Sequence, residues 1–558
     1  MQMRQKPLFL VLSLSALLLA ASCKKGGKTG LLVPKDAALV VHINSASLSS
    51  KLSWDEISQT DWFKEMSKEA TDSTAQKMLK DPGHSGIDTK SDLVFYMKRQ
   101  GRGGYLVFEG TVKDAAAFEA FNKEISKGKA TPSKDGDINY MVSDKSGLLA
   151  WNNSKFAYIA DSPLPDMQQG FNRFENYKFP EDSLKLFAKT ALTLKSGDNL
   201  DNDSRFASMI KDGSDMHLWM NASGLYGNTL GGMLSMMKFN ALLENNVSAM
   251  SLNFDNGKIA MKSKSYYGKE ISKLMSDYPS KPLSGDVLNR IPSQNVVGVF
   301  AMNYQPAALK EFLRITGFDG VVNGFLGRAG YSVEEFIKAN KGEILLAVSD
   351  LEMKTKEVVM EMGEGQEPYK YSKTEPDMKV LFATSVNDKA AFEKLIGVVT
   401  QETKGMKSSN SPEIHYKLEN NWFAASNSPD HMNTFLSGTT NKNVVADKIG
   451  GHPFGFYVDI QKIIKTGETS VSDSSAKSAM TKSYNMWQDI VATGGEYKND
   501  ALEFEMTVNL VDKNVNSLKQ LNQYINSMYK ISEEKKNRYR DSMMEAPAVV
   551  DTTIQVNP

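Results

Sequence analysis

The chain has 558 residues and a mass of 61.8 kDa, with 66 basic and 66 acidic side chains and a single cysteine. At about 100–200 residues per domain this length predicts more than one domain. The 41% apolar and 24% charged fractions are typical of a soluble globular protein, and exclude a disordered chain or a multi-span membrane protein. Zero net charge leaves no basic surplus, so we expect no nucleic-acid partner. One cysteine excludes a disulfide framework and any multi-cysteine metal site.

The first 23 residues have the pattern of an export signal. Arg4 and Lys6 precede Leu8–Ala21, a run that is apolar except for two serines. This run is shorter than the ~20 residues that a membrane-spanning helix needs, so it predicts a signal peptide over residues 1–22. Small residues then lead directly to Cys23, the only cysteine of the chain.

The segment Leu19–Cys23 resembles the lipobox of bacterial lipoproteins, in which the cysteine is acylated and becomes the mature N-terminus. Ala20 departs from the strict motif, which has Leu there. The resemblance implies that Cys23 is the lipidation site, with acyl chains such as palmitate that contribute about 0.8 kcal/mol per buried CH₂ to membrane binding. The alternative is a secreted protein cleaved at the same small residues, with Cys23 left as a free thiol in an oxidising compartment.

Residues 23–30 are rich in Gly and Lys, which predicts a flexible tether. Surface lipoproteins of Bacteroidota-type bacteria often have acidic residues after the cysteine, whereas this tether is basic. We therefore expect an outer-membrane protein that faces the periplasm. The chain without residues 1–22 has 64 basic and 66 acidic side chains, so the lipid anchor must hold it at the membrane.

The body of the chain contains an internal repeat. Tyr105–Ile125 and Lys379–Val399 align without gaps and share seven of 21 residues. Each block predicts a strand with alternating apolar residues, an Asp at the helix N-cap, and a helix that points Phe118 or Phe392 inward. The identical pairs are Phe108/Phe382, Val112/Val386, Asp114/Asp388, Ala116/Ala390, Ala117/Ala391, Phe118/Phe392 and Glu119/Glu393.

Further landmarks recur in the same order along the chain and extend the repeat to two units, 31–275 and 287–525, joined near Tyr278–Pro282. The second unit includes a C-terminal helix with an apolar stripe over Val515–Met528. The corresponding segments are Ala38–Ile43 and Val296–Ala301, Asp92–Met97 and Glu343–Val348, Ile138–Val142 and Ile414–Leu418, Leu218–Asn221 and Phe456–Asp459, and the hairpins Leu252–Met261 and Gly495–Phe504.

The opening elements of each unit follow the order strand, helix, strand, strand, helix, strand. We therefore predict an α+β fold of two tandem, mostly antiparallel sheet-plus-helix units, with a ferredoxin-like βαββαβ arrangement at the start. The tail, residues 544–558, has no periodic pattern and is predicted to be disordered. In the first unit the predicted elements are Leu39–Ile43, Trp54–Lys80, Leu93–Met97, Tyr105–Val112, Ala115–Ile125 and Ile138–Val142.

The histidines give no sign of a metal site, because no two of them lie three to five residues apart. His42 and His217 fall in predicted strands, where a structural role is expected. The loop Asn199–Ser204 superficially resembles a calcium loop, but it lacks the glycine at the sixth position and has Ile210 at the twelfth. The six histidines are His42, His84, His217, His415, His431 and His452.

No motif for nucleophilic catalysis occurs in its complete form and usual order along the chain. Ser474–Lys477 has S-x-x-K spacing, and Lys465–Gly467 reads K-T-G, but the K-T-G precedes the serine, opposite to the penicillin-recognising enzymes. Gly83–Gly86 is one residue short of a nucleophile elbow. We therefore predict no catalytic residue, no cofactor and no metal.

The lipobox, the tether, the tandem α+β units and the missing catalytic motifs together resemble an uncharacterised family of Bacteroidota envelope lipoproteins, described as a domain of unknown function. The resemblance implies no known active site. We expect a membrane-anchored protein with a non-catalytic binding or structural role, in which a groove between the units accepts a protein or an apolar ligand. The alternatives are an envelope hydrolase with a dispersed active site, which requires a Ser, Asp or Glu beside a His or Lys, and a periplasmic chaperone-like protein with a large exposed apolar surface.

Overall fold

The structure is a computed structural model. The Cys23 site, the signal peptide and the predicted tail beyond Met544 lie outside the described residues. The structure describes residues 30, 32–69, 81–101, 103–126, 130–143, 147–162, 164–165, 174–175, 177–226, 238, 240–360, 369–402 and 413–544.

The strands carry most of the architecture and confirm the predicted α+β class with a mostly antiparallel sheet. They are β1 Leu39–Ile43, β2 Leu93–Gln100, β3 Gly103–Thr111, β4 Ser133–Asp135, β5 Ile138–Ser143, β6 Gly147–Trp151, β7 Lys155–Ser162, β8 Leu164–Pro165, β9 Phe174–Glu175, β10 Met216–Asn221, β11 Val247–Asp255, β12 Lys258–Tyr266, β13 Val296–Asn303, β14 Asn340–Met360, β15 Tyr369–Val386, β16 His415–Glu419, β17 Trp422–Ser426, β18 Phe454–Asp459, β19 Trp487–Lys498 and β20 Ala501–Leu510.

The helices are mostly short and pack on both faces of this sheet. They are α1 Ser45–Lys51, α2 Trp54–Ser58, α3 Asp61–Glu69, α4 Ala115–Ile125, α5 Glu181–Thr193, α6 Ser204–Ile210, α7 Ala222–Tyr226, α8 Asn240–Leu243, α9 Lys269–Asp277, α10 Gly285–Asn289, α11 Ala308–Thr316, α12 Asp319–Arg328, α13 Val333–Ala339, α14 Lys389–Glu402, α15 Pro429–Leu436, α16 Val444–Ile449, α17 Ile460–Glu468, α18 Ser474–Tyr484 and α19 Ser517–Met544.

One antiparallel sheet runs through both halves of the chain. In the described residues its strand order is β4-β5-β6-β7-β3-β2-β1-β10-β11-β12-β20-β19-β18-β13-β14-β15-β17-β16. The order β7-β3-β2-β1-β10-β11-β12 in the first half therefore matches β17-β15-β14-β13-β18-β19-β20 in the second. The two halves join edge to edge through β12 and β20.

The strand register supports the gapless alignment of the repeated block. Tyr96 pairs with Val107, and Ala347 pairs with Leu381, which places Phe108 and Phe382 at the same position of the two halves. In the helices that follow, Asp114 accepts hydrogen bonds from the amides of Ala116 and Ala117 at 3.0 Å each. Asp388 accepts one from Ala391 at 2.9 Å, and Phe118 and Phe392 are both buried, as the sequence predicts.

The seam between the halves has an approximate two-fold relation. The hairpin β11–β12 turns at 256–257, and the hairpin β19–β20 turns at 499–500. Counted from these turns, Lys262 and Glu505 are equivalent positions, and they also lie directly opposite each other across the seam. The last strands of the two units, β12 and β20, thus pair with each other around an approximate two-fold axis that passes near Lys262 and Glu505.

Two details of the predicted topology are wrong. A split βαβ unit requires parallel strands, but β1 and β2 are antiparallel neighbours, so the ferredoxin-like pairing does not form although the order of elements does. The segment Ile414–Leu418 corresponds to β6 and not to Ile138–Val142, because β16 forms the hairpin with the strand that pairs with β15. The unit limits 31–275 and 287–525 stay predictions, although α19 continues past 525 to Met544.

The main cores lie on one face of the sheet, which we call face A. In the first half, face-A side chains such as Trp219 pack against α5 and α6, and in the second half Tyr457 and its neighbours pack against α10, α15 and α16. On the opposite face, face B, two smaller clusters form: α1 and α4 pack on β2 and β7, and α13 and α14 pack on Val386, the last residue of β15. Within the part of the chain that the structure describes, no helix is both long and apolar enough to cross a bilayer.

Candidate functional site

A continuous row of apolar side chains crosses face B. Alternate residues of a strand point to the same face, so directly opposed residues of neighbouring strands form a line across the sheet. On thirteen consecutive strands, from β16 to β2, every residue of this line is apolar. We call it the apolar row: Tyr416, Ala425, Phe382, Leu346, Phe300, Phe456, Ala492, Met506, Met261, Leu252, Met216, Ile43 and Leu93.

The apolar row passes through the seam without interruption. Met261 of β12 lies opposite Met506 of β20. On one side of this pair the next residues, which point to face A, are charged: Lys262 lies 3.2 Å from the Glu505 carboxylate and is largely exposed. On the other side Ala260 lies opposite Thr507. Where the apolar row crosses it, the seam is therefore apolar on face B and has a charged pair on face A, which is the alternation expected of an antiparallel sheet with one solvated face.

Exposure changes along the apolar row. Ile43 and Leu93, at the first-half end, are 1% and 0% exposed because the cluster with α1 and α4 covers them. The central residues, from Met216 to Phe300, are half-buried. Leu346, Phe382 and Tyr416, at the second-half end, are 38%, 37% and 55% exposed. The row thus has a covered end and an open end.

Aromatic rings widen the open half of the row. Phe300 and Phe504 both contact Phe454 edge to face, with 5.7 Å between ring centres in each pair. Phe423 lies 5.9 Å from Tyr416 and 6.4 Å from Phe382. Such a surface offers dispersion contacts and removal of apolar area from water, and it favours a ligand that is itself apolar.

A second feature is a buried pair of histidines on face A. His42 and His217 lie opposite each other in β1 and β10, with 3.0 Å between their Nδ1 atoms, and both are 2% exposed. His42 Nε2 lies 3.1 Å from Asp92, and His217 Nε2 lies 2.8 Å from Asp212. Burial opposes ionisation of Asp212, but the hydrogen bonds from His217 and Ser214 outweigh it and hold the pKa of Asp212 below its ordinary value. The expected structural role of these two histidines is consistent with this network, which sequence spacing did not predict.

A third feature is a serine, histidine and aspartate in series. His431 Nδ1 lies 3.2 Å from Ser428 Oγ, and His431 Nε2 lies 3.1 Å from Asp350. Burial opposes ionisation of Asp350, but hydrogen bonds from Ser293, Ser349 and His431 lower the pKa of this carboxyl. In the tautomer that donates from Nε2 to Asp350, Nδ1 accepts a hydrogen bond from the Ser428 hydroxyl. Ser428 is also the N-cap of α15, where its hydroxyl accepts the His431 amide.

The two cavities found among the described residues are small, and each lies within one half. A cavity of about 280 Å³ is lined by Tyr140, Lys189 and their neighbours, and Lys189 forms an exposed ion pair with Asp135 at 2.9 Å. A cavity of about 220 Å³ in the second half is lined by Lys448, which pairs with the buried Asp489. Because these charges are already paired, neither cavity requires a charged ligand.

The remaining residues singled out in the sequence do not assemble into a site. In the loop that resembles a calcium site, Asn199 and Asp203 cap short helical turns, and Asp203 binds Arg205. Ser474 of the S-x-x-K motif accepts a hydrogen bond from Arg538 of α19. Among the described residues, no group of three or more His, Cys, Asp or Glu side chains is arranged to hold a metal ion.

The comparison with protein families assigns the chain. The family "Domain of unknown function (DUF4836)" matches residues 30–360. This is more than half of the chain, and the chain therefore belongs to that family. The comparison adds no active-site residue or ligand.

The comparisons with individual proteins are weaker. No curated protein sequence matches the chain. The solved structure "Structure of crystal form I of TP0453" is 12% identical over 45% of this chain and 86% of its own, with a TM-score of 0.23. The structure of crystal form IV of the same protein is 13% identical over 44% and 84%, with a TM-score of 0.22. TM-scores this low carry no argument about fold or function.

Proposed function

We propose that this protein is a membrane-anchored lipoprotein of the bacterial cell envelope, as in Bacteroidota, and that it binds an apolar ligand without catalysis. The observation that carries the proposal is the apolar row, which both units build together across the seam. Its open half contains no titratable side chain other than Tyr416, so it binds by contact with hydrocarbon. A long-chain lipid or fatty alcohol is the ligand class with this chemistry.

Support for the anchor comes from the sequence. Cys23 ends a signal-like segment and is followed by residues 24–30, whose Gly- and Lys-rich composition predicts a flexible tether. Acylation there would place the body close to a membrane, and the basic tether favours the periplasmic side of the outer membrane. An anchored protein with an apolar binding surface is suited to hold or pass on a ligand that is insoluble in water.

The exposed end of the apolar row provides the test. Phe382→Glu places a charge where the ligand would lie, and we expect at least a tenfold loss of affinity for a pyrene-labelled long-chain alcohol, measured by fluorescence titration. The position is 37% exposed, so the fold should survive the change.

The matched control is Val359→Glu. Val359 is an exposed apolar residue on the part of the β14–β15 hairpin that extends beyond the neighbouring strands. We expect its affinity to equal that of the wild type. Equal affinity of Phe382→Glu and wild type would reject the apolar row as the binding site.

Ser428, His431 and Asp350 favour a second candidate, an envelope hydrolase. The same contacts are explained by helix capping, since Ser428 is the N-cap of α15, and neither described cavity includes these residues. Covalent labelling of Ser428 by a fluorophosphonate probe, lost in Ser428→Ala, would establish the hydrolase. The capping role predicts no labelling.

A chaperone-like role uses the same apolar row with a different occupant. An unfolded apolar peptide would then displace the pyrene-labelled alcohol as well as an unlabelled alcohol does. The lipid proposal predicts displacement by the alcohol alone.

A further inference from the structure

Five methionines form a continuous patch on face B, at the seam between the two halves and beside it. All five are half-buried, and we call them the methionine patch. The patch consists of Met216 and Met220 of β10, Met250 of β11, Met261 of β12 and Met506 of β20. Strand pairing brings these residues together, because they lie on four strands and come from both units of the chain.

Three of these methionines lie closest to the seam. Met261 and Met506 are directly opposed in β12 and β20. Met250 is diagonal to Met261, because Leu252, two residues further along β11, is the register partner of Met261. Directly opposed residues have Cβ atoms about 5 Å apart, and diagonal residues about 7–8 Å. Since the methionine side chain is unbranched and flexible, sulfur atoms at these positions can converge on one point.

The register neighbours of these sulfur atoms on face B are uncharged. On β11 and β12, Met261 lies opposite Leu252, and Met250 lies opposite Ser263. Lys262, the next residue of β12, points to face A, where it pairs with a glutamate of β20 at 3.2 Å. A ligand at this point therefore meets neutral thioether sulfur and apolar carbon.

Thioether sulfur selects the kind of metal ion that can bind. It is a soft, neutral donor that prefers Cu(I). Zn²⁺ prefers imidazole and thiolate, and Ca²⁺ and Mg²⁺ prefer oxygen, which these sulfur atoms do not supply. An ion with two charges would also lose more hydration energy against neutral ligands than an ion with one. The prediction of no metal from the sequence rested on local ligand spacing, which does not include ligands brought together by strand pairing.

The second unit shows that packing at two of these positions does not require methionine. By strand pairing, Met216 and Met261 of the first unit correspond to Phe454 and Phe504 of the second. The two phenylalanine rings contact each other edge to face, with 5.7 Å between their centres. Both pairs fill apolar positions of face B, but only the methionines can donate sulfur to a ligand.

We propose that Met250, Met261 and Met506 form a binding site for a monovalent soft metal ion, Cu(I) or its analogue Ag(I). Each sulfur donates a lone pair to the ion, and Met216 and Met220, both diagonal to Met250, place further sulfur donors nearby. Because Met261 and Met506 belong to different units, the site forms only where β12 pairs with β20. The site does not depend on the proposed apolar ligand.

The test titrates the full chain with Ag(I), which needs no reductant, in a buffer free of chloride. The protein carries Cys23→Ala so that no thiolate competes, and its methionines are labelled with ¹³C at the methyl group. We expect the first equivalent of Ag(I) to shift the methyl resonances of Met250, Met261 and Met506 before those of other methionines. Each resonance is assigned by its loss when that residue is changed to leucine.

The leucine variants also test affinity. Met261→Leu and Met506→Leu nearly conserve volume, so the fold should survive, and unchanged positions of the other methyl resonances would show this. We expect each variant to bind Ag(I) at least about tenfold more weakly by calorimetry, since even changes outside the ligand shell of a metal typically cost that much.

The matched control is Met302→Leu. Met302 is a half-buried methionine of β13 that also points to face B but lies outside the methionine patch, and its variant should bind as the wild type does. Wild-type protein that does not bind Ag(I), a first equivalent that shifts other methionines instead, or full affinity in both Met261→Leu and Met506→Leu would overturn the site. None of these results bears on the binding of the pyrene-labelled alcohol.

Discussion

At the scale of single residues, the most informative position is one that the repeat does not share. Glu109 of β3 is fully buried, whereas the equivalent residue of β15 is Ala383. One Glu109 oxygen accepts the Leu32 amide at 2.9 Å, and the other has no hydrogen-bond partner. Burial raises the pKa of Glu109 to about 7. The carboxyl therefore holds the start of the body, just after the tether, by its hydrogen bond to the Leu32 amide. Because the carboxyl is buried, its effect on the free energy of unfolding depends on pH.

Whether the buried carboxyl raises or lowers stability as the pH rises follows from the protons that the folded and unfolded states bind. The unfolded chain releases the Glu109 proton near the ordinary pKa of 4.5, whereas the folded protein keeps it until about pH 7. Burial of Glu109 therefore lowers stability progressively as the pH rises from about 4.5 to 7, by about 3 kcal/mol in total.

Glu109→Gln removes this titration and keeps an acceptor for the Leu32 amide. We expect the stability of the variant relative to wild type to rise by about 3 kcal/mol between about pH 4 and pH 8, measured by urea unfolding at each pH. A constant difference between the two proteins over this range would show that Glu109 is not a buried titrating carboxyl.

Residue-level predictions from the sequence succeeded where the cause is local. The Asp114 and Asp388 caps and the inward Phe118 and Phe392 depend on spacing within one helix. The His42–His217 contact depends on the register of two strands that are 175 residues apart in the chain. No local pattern contains that information.

At the scale of elements, the repeat predicts which strands correspond, but it does not predict which strands pair. Alternation of apolar residues was visible in the strand of each repeated block, and the hairpins predicted over Leu252–Met261 and Gly495–Phe504 form. The pairing of β12 with β20 unites the two units and makes their face-B residues continuous. Because long-range pairing depends on how the whole chain packs, the apolar row could not be read from the sequence.

The hairpin β14–β15 shows how the two units differ. In the first unit β2 and β3 are joined by a short turn, whereas β14 and β15 continue beyond the last residues that pair with β13 and β17. This extension is held by exposed ion pairs, such as Lys356 with Glu375 at 2.7 Å and Lys370 with Glu357 at 3.0 Å. Exposed pairs contribute little to stability, so the extension adds surface to the second unit more than it adds stability.

At the scale of the whole molecule, the two units differ in how much of the apolar row they cover. The first-half end is buried under α1 and α4, and the second-half end is open at Leu346, Phe382 and Tyr416. A duplicated unit with identical coverage would leave either two buried ends or two exposed ones. The difference in coverage would give the proposed ligand one route of access and one protected end.

The proposed anchor belongs to the same scale, because it would fix where the body of the protein works. We expect Cys23→Ala to move the protein from the membrane fraction to the soluble fraction in fractionated cells, since the net charge of −2 of the body gives no attraction to anionic lipid. A variant changed in the tether, Lys24→Ala, should remain at the membrane. Continued membrane partitioning of Cys23→Ala would reject the lipid anchor.

The central claim is that an apolar ligand lies on face B along the apolar row. It is tested most directly by photo-crosslinking the purified protein with a long-chain alcohol that carries a diazirine, followed by mass spectrometry of the labelled peptides. We predict saturable labels on Leu346, Phe382, Phe300 and Met506 that an unlabelled alcohol removes. Labels on face-A residues such as Lys264 and Glu503, or labels spread over the surface without saturation, would contradict the account.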